Sequence, residues 1–200
     1  MHPELTVICP VLDRPANVEP LVESFLENCP PDSHLVFAAT DGDEQELEAI
    51  RPFIQDRVYL LKTKKISWPN KINETFLKVR DHTDWVLFGA DDIAFHDGWF
   101  EQTKPFRDQD EIMVIGTNDL GNPRVIAGDH STHTLVRASY LGTIDDPNAI
   151  VHTGYRHWCV DDELLWTAKL RGVWVSCPAA VVEHLHPYWD KGRWDSTYAQ

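Results

Sequence analysis

Short apolar runs alternate with helix-spaced segments from Leu5 to Phe88, and this alternation narrows the fold more than any other feature of the chain. Leu5-Thr6-Val7-Ile8-Cys9 reads as a first strand. Pro15 then opens a helix whose apolar positions Val18, Leu21, Val22 and Phe25 keep helical spacing. Leu35 to Ala39 reads as a second strand and ends on the turn Thr40-Asp41-Gly42-Asp43. A short acidic helix, a strand at Val58 to Leu61 and a helix from Pro69 through about Lys78 follow. The run Trp85-Val86-Leu87-Phe88 closes the series as a fourth strand. Strands and helices in this succession imply an α/β domain with a mostly parallel central sheet flanked by helices.

Beyond residue 110 the pattern loosens. Ile112 to Ile115 and Thr132 to Arg137 read as strands. Thr117 to Asp129, rich in Gly, Asn, Asp and Pro, reads as a long loop and a candidate lid. The stretch from Thr143 to His157 is irregular. A helix is expected from about Asp161 to Leu170, stopping before Gly172, with short strands at Val173 to Val175 and Ala180 to Val182. The tail from His184 onward is aromatic and polar. No linker or low-complexity segment divides residues 1–200, so one domain is expected.

The fourth strand runs through Gly89-Ala90 into Asp91-Asp92. In open α/β sheets ligands bind at the carboxyl ends of the strands. Two carboxylates there offer hard oxygen ligands for Mg²⁺ or Mn²⁺ and, through the ion, for a diphosphate. A solvated acidic turn is the other reading of the same residues.

Composition sets the outer bounds. With 200 residues and 42% hydrophobic content the chain can bury one sizeable core. The net charge of −14, from 32 acids and 18 bases, argues against holding duplex nucleic acid by broad phosphate neutralisation. A nucleotide ligand stays open, because a divalent ion can bridge acids to phosphates. Eight tryptophans supply platforms for sugar rings or bases wherever they are exposed. Cys9, Cys29, Cys159 and Cys177 are scattered without a C-x-x-C pair, as reduced structural thiols would be. No run approaches the roughly 18 apolar residues of a membrane span. Met1-His2-Pro3-Glu4 has no basic region and no apolar signal core. A cytoplasmic protein, or a domain excised from a longer one, is expected.

Several spaced motifs together resemble the family 2 type of nucleotide-sugar glycosyltransferase, which has the Rossmann-like GT-A fold. The resemblance runs from about residue 5 to about residue 185. Thr6 to Arg14 resembles the family's opening strand, which ends in Pro-Val-Tyr-Asn-Arg, and Thr40-Asp41-Gly42-Asp43 resembles its Asp-Asp-Gly-Ser turn. Asn70-Lys71-Ile72-Asn73 is similar to its Ala-Arg-Asn helix start, and Ala90-Asp91-Asp92 to its Asp-x-Asp metal motif. Asp161-Asp162-Glu163-Leu164, with Gly172 nine residues after Glu163, is similar to its Glu-Asp-x-Glu-Leu…Gly helix.

The resemblance implies a metal-dependent, inverting enzyme that uses a nucleoside-diphosphate sugar donor and Mn²⁺ or Mg²⁺. It places Pro10, Asp13, Arg14, Asp41, Lys71, Asn73 and Asp91 with the donor. Asp92 becomes the metal ligand, with His184 or His186 completing the shell. Asp161 becomes the base that takes the acceptor's proton, and Asp162 replaces it if the helix begins one residue later. Each residue keeps an ordinary alternative: Asp41 as a turn Asp, Lys71 as a solvated lysine, Asp161 as an N-cap in a capping box with Glu163, the histidines as a surface pair. The donor half is expected over about residues 1–110 and the acceptor and catalytic half over about 111–200.

The chain departs from the family pattern at Ala90, Thr40, Val160 and Thr167, which leaves the donor open. The acceptor is open as well: glycan, metabolite, protein, or a modified base in nucleic acid near Lys62, Lys64, Lys65 and Lys71. A sugar-nucleotide pyrophosphorylase is set aside because Pro10 to Arg14 contains no glycine for a phosphate loop. A non-catalytic carbohydrate- or nucleotide-binding module remains the rival.

Overall fold

Seven consecutive buried residues, Leu5–Val11, form β1 at the heart of the sheet. The computed structural model describes residues 2–143, 145–156, 159–195 and 198. Around β1 the chain adds α1 (Val18–Asn28), β2 (His34–Thr40), α2 (Glu44–Ile50), β3 (Val58–Thr63), α3 (Trp68–Val79) and β4 (Trp85–Phe88). β1 pairs in parallel with β2 and β4, and β2 with β3, so the alternation expected from the sequence is the alternation found. The period of two along each strand sorts its side chains to opposite faces. Leu5, Val7 and Cys9 pack with Leu21, Val22 and Phe25 of α1 and Leu47 and Ile50 of α2. Ile8, Val86 and Phe88 pack with Ile72 and Phe76 of α3 on the other face. Truncating a core side chain such as Phe25, fully buried, costs about 3–5 kcal/mol in proteins of this kind.

The second half carries β5 (Ile93–Phe95), α4 (Trp99–Gln102), α5 (Lys104–Arg107), β6 (Val114–Asn118), α6 (Pro123–Ile126), β7 (Thr134–Arg137), α7 (Val160–Leu170) and β8 (Trp174–His184). The strand order is β3-β2-β1-β4-β7-β6-β8-β5. β7 enters antiparallel to both β4 and β6, while β6 and β8 are parallel. α7 covers the second face through Val160, Leu164 and Ala168.

The structure departs from the sequence reading at four places. β8 is one strand where two were expected. Its register on β6 shifts between Gly116 and Asn118, and Pro178 and Ala179 bulge into solvent there, since proline has no N–H to give a ladder. The expected loop from Thr117 to Asp129 contains the end of β6 and the short helix α6. β5, α4 and α5 are too short to show a period. α7 begins at Val160 behind Cys159, whose φ is 68°, so Asp161 lies inside the first turn and makes no capping box. Of the irregular stretch from Thr143 to His157, Ile144 and His157 lie outside the described residues, as do 196, 197, 199 and 200 of the tail. Among the described residues no helix is long and apolar enough to cross a membrane.

Candidate active site

The acid pair sits where β4 must turn. Gly89 ends the strand in a tightly packed spot, where a Cβ would press on Ile93 and Val7 at 3.2–3.3 Å. The chain then reverses into β5, which pairs antiparallel with β8 so that Ile93 faces His184. The Leu185 N–H donates to the Asp92 carbonyl at 2.8 Å and locks this junction. The imidazole Nε2 of His184 consequently lies 3.4 Å from Asp92 Oδ1.

Asp91 and Asp92 are each only 6% exposed, so the pair is a buried cluster and not a solvated turn. Buried acids need a counter-charge. Arg14 provides it: Nη1 donates to Asp91 Oδ1 at 2.6 Å and to Asp92 Oδ2 at 3.1 Å. Burial and the neighbouring charge of Asp92 push the Asp91 carboxyl up to about 8. Burial acts on Asp92 too, but His184, then Arg14 and the Tyr198 hydroxyl, outweigh it and hold Asp92 well below the usual carboxylate range. One member thus carries the negative charge far more readily than the other. Asp92 Oδ1 has no hydrogen-bond partner despite its burial. A free lone pair on a hard oxygen, beside an imidazole nitrogen, is a donor set that suits Mn²⁺ or Mg²⁺. His186 stands next to His184, ring centroids 4.9 Å apart, but its Nδ1 accepts the Tyr188 N–H at 3.1 Å.

The ends of β1 and β2 supply the next layer. Pro10 pairs with Ala38 inside the sheet. Asp13 takes a positive φ of 55°, and its N–H donates to Asp43, the cap of α2. The Arg14 N–H donates to Glu46 at 2.8 Å, fixing the guanidinium's approach. Lys71 is buried and donates Nζ–H to the Val11 carbonyl at 2.7 Å. Burial lowers its pKa, against the pull of Asp43 and Glu46. Asp41 is exposed and meets Lys62 at 3.3 Å. Asn73 is occupied elsewhere: its amide oxygen accepts the N–H groups of Ile150 and Val151, and its NH₂ donates to the Val151 carbonyl. The four lysines considered as a basic patch do not form one, since Lys71 points inward and Lys62 is paired.

The acids of α7 form a second group. His130, 3% exposed, directs Nε2 at Asp161 Oδ2, 3.1 Å away, and Nδ1 at Asp162 Oδ1, 3.6 Å away. Arg124 of α6 donates to Asp162 at 2.7 Å. Among the described residues, three ligand-type atoms close to within 4.8 Å here, on His130, Asp161 and Asp162, and not around Asp92. With Arg124 balancing the charge, this trio reads as an ion-pair network.

No protein-family model matches the sequence, and no curated protein matches it. Solved structures do. The mannosyltransferase PcManGT of Pyrobaculum calidifontis, in complex with GDP-Man and Mn²⁺, is similar with a TM-score of 0.70 at 14% identity, over 92% of this chain and 57% of that one. TarS of S. aureus with UDP-GlcNAc gives 0.70 at 13% identity, over 90% and 57%. Glucosyl-3-phosphoglycerate synthase of Mycobacterium tuberculosis, with Mn²⁺, UDP and phosphoglyceric acid, gives 0.63 at 13%, over 91% and 70%. The fold is GT-A. The chain spans little more than half the length of the first two structures.

Within this GT-A fold, several residues at the site escaped the sequence reading. His130 precedes, and His133 falls within, the segment Thr132 to Arg137 that reads only as a strand, with no spacing that marks either as a site residue. His133 is buried, packs edge-on against His184 with centroids 4.9 Å apart, and is lowered to about 4 by burial and the charge of His184. Asp119 accepts the N–H groups of Gly121 and Asn122 and the Thr132 hydroxyl, which ties the start of the 117–129 segment to the 130–133 strip. Tyr198 donates its hydroxyl to Asp92 Oδ2, and Asp195 meets Arg14 Nε at 2.9 Å. A tail without periodicity gives no sign that it folds back on the acids.

Proposed function

We propose that this chain is the GT-A unit of a metal-dependent, inverting glycosyltransferase that moves a sugar from a nucleoside-diphosphate sugar to an acceptor hydroxyl. The observation that carries this reading is the meeting of Asp92 Oδ1, buried and without a hydrogen bond, and His184 Nε2 at 3.4 Å at the carboxyl end of β4. Mn²⁺ or Mg²⁺ held by Asp92 and His184 would offset the charge on the departing nucleoside diphosphate. Asp91 and Arg14 keep Asp92 oriented, and Arg14 also presents a cation to the donor's phosphates. Asp13 and the exposed Asp41 flank the entrance for the nucleoside. Lys71 acts from inside, adding positive charge behind β1, and Asn73 fastens the 150–151 backbone. Asp161 takes the acceptor's proton for in-line attack at the anomeric carbon, while Arg124 occupies Asp162. Donor binding then belongs to about residues 1–110 and acceptor chemistry to about 111–200. The acceptor stays open among glycan, metabolite, protein and modified base.

One observation favours the rival, a non-catalytic binding module: Tyr198 and Asp195 already occupy Asp92 and Arg14. Asp92→Ala separates the two. It should abolish Mn²⁺-dependent release of nucleoside diphosphate while circular dichroism stays native. Retained release at saturating Mn²⁺ would remove Asp92 from the metal.

A further inference from the structure

We propose that His130 is a positioning residue for Asp161, its imidazole holding the carboxylate in one orientation for proton removal from the acceptor. This rests on the reading of Asp161 as the base. Four observations support it. The His130 ring is 3% exposed, and each of its nitrogens faces a carboxylate. Nδ1 has no hydrogen-bond partner, so the ring's one side-chain hydrogen bond is the one to Asp161. The oxygens of Asp161 are divided: Oδ1 accepts the Asp162 N–H at 3.0 Å, and Oδ2 is the one His130 holds at 3.1 Å.

The segment carrying His130 is fixed on several sides. Lys169 Nζ donates to the Asp129 carbonyl at 2.6 Å, and the Ser131 hydroxyl accepts the Thr117 N–H at 3.1 Å. The Thr132 hydroxyl donates to Asp119 at 2.7 Å, and His133 packs on His184. One short strip therefore reaches Asp161 through His130 and His184 through His133. A side chain on so rigid a support fixes its partner's geometry, which a mobile loop residue would not.

The adjacent acids also have different partners. Arg124 holds Asp162 and His130 holds Asp161, which explains how two neighbouring acids on one helix take different roles. The charged groups facing Asp161 are His130 from the 127–133 loop, Arg124 from α6, and Asp162 on α7 itself. Burial alone would raise the Asp161 carboxyl. The hydrogen bond and charge of His130 outweigh burial and bring it below the ordinary range. A base ionised at lower pH keeps its activity further into acid.

The test reads the Asp161 carboxylate directly by ¹³C NMR titration of the whole chain, so it needs no identified substrate. His130→Ala should move the Asp161 midpoint to higher pH. His130→Gln, which keeps a donor, should restore part of the change and covers the case in which the alanine variant folds poorly. An Asp161 midpoint unmoved in both variants would overturn the proposal. In parallel, nucleoside-diphosphate release from GDP-mannose and UDP-glucose with Mn²⁺ is compared for wild type, Asp161→Asn and His130→Ala at pH 5 and pH 8. Loss in His130→Ala should be roughly threefold or more larger at pH 5, with donor KM within about twofold. Asp161→Asn retaining full release would overturn the base reading, and with it the catalytic purpose of the pair. An equal loss at both pH values would leave His130 a packing role only.

Discussion

Glu46 shows how a single residue in this site trades stability for position. It is fully buried, and one carboxylate oxygen accepts the Arg14 N–H while the other has no partner. Burial raises its pKa, against the relief from the Arg14 N–H. A carboxyl raised in the folded state favours folding when protonated, and that contribution is lost as pH rises through its folded value. Glu46→Gln removes the titration and keeps an acceptor for Arg14. It should therefore raise the urea midpoint at pH 7.5 relative to wild type by an amount worth about 1 kcal/mol, with the gain fading by pH 4. A gain of equal size at both pH values would mean that the buried charge is not what limits stability there. Residues of this kind are only partly legible in sequence. Asp91 and Asp92 announce themselves because they end an apolar run, and Asp161 because it opens a helix. Glu46 sits among five acids between residues 41 and 48, and nothing local distinguishes the one that is buried.

At the scale of elements, the strands and long helices of the first half carry their own signal, because each buries one periodic set of side chains. The reversal at Gly89 into β5 does not, since three residues of strand have no period to read. Yet that reversal brings Asp92 to His184. The tail is similar: its placement is decided by distant partners. Trp189 lies over Gly121, where any Cβ would overlap its indole ring. Lys191 pairs with Glu183 at 2.6 Å, and Tyr188 meets Trp194 edge-on at 4.9 Å. Gly121→Ala should therefore push Trp189 off its seat and raise hydrogen exchange across 187–195, while exchange in β1 and β4 stays unchanged. Unaltered protection of the tail would show that it is held by other contacts. Loosening the tail also frees Asp92 from the Tyr198 hydroxyl, so binding of Mn²⁺ with UDP or GDP should tighten by about 10-fold or more, the worth of one hydrogen bond to a charged group. Weaker binding would instead make the tail part of the donor site.

For the whole molecule, the GT-A sheet brings three groups to its carboxyl-end side: Arg14 from the end of β1, the acid pair from the end of β4, and His184 from the end of β8. The strip 130–133 ties the third group to the acids of α7. The central claim is that this assembly transfers a sugar and does not merely hold a nucleotide. The most direct measurement is release of nucleoside diphosphate from a panel of nucleotide sugars, with and without Mn²⁺, by wild type and Asp92→Ala, with water accepting the sugar where no acceptor is supplied. The account predicts release from at least one donor by wild type, only with the metal, and none by the variant. Nucleotide sugar bound but never cleaved by wild type, across the whole panel and with Mn²⁺ present, would contradict it.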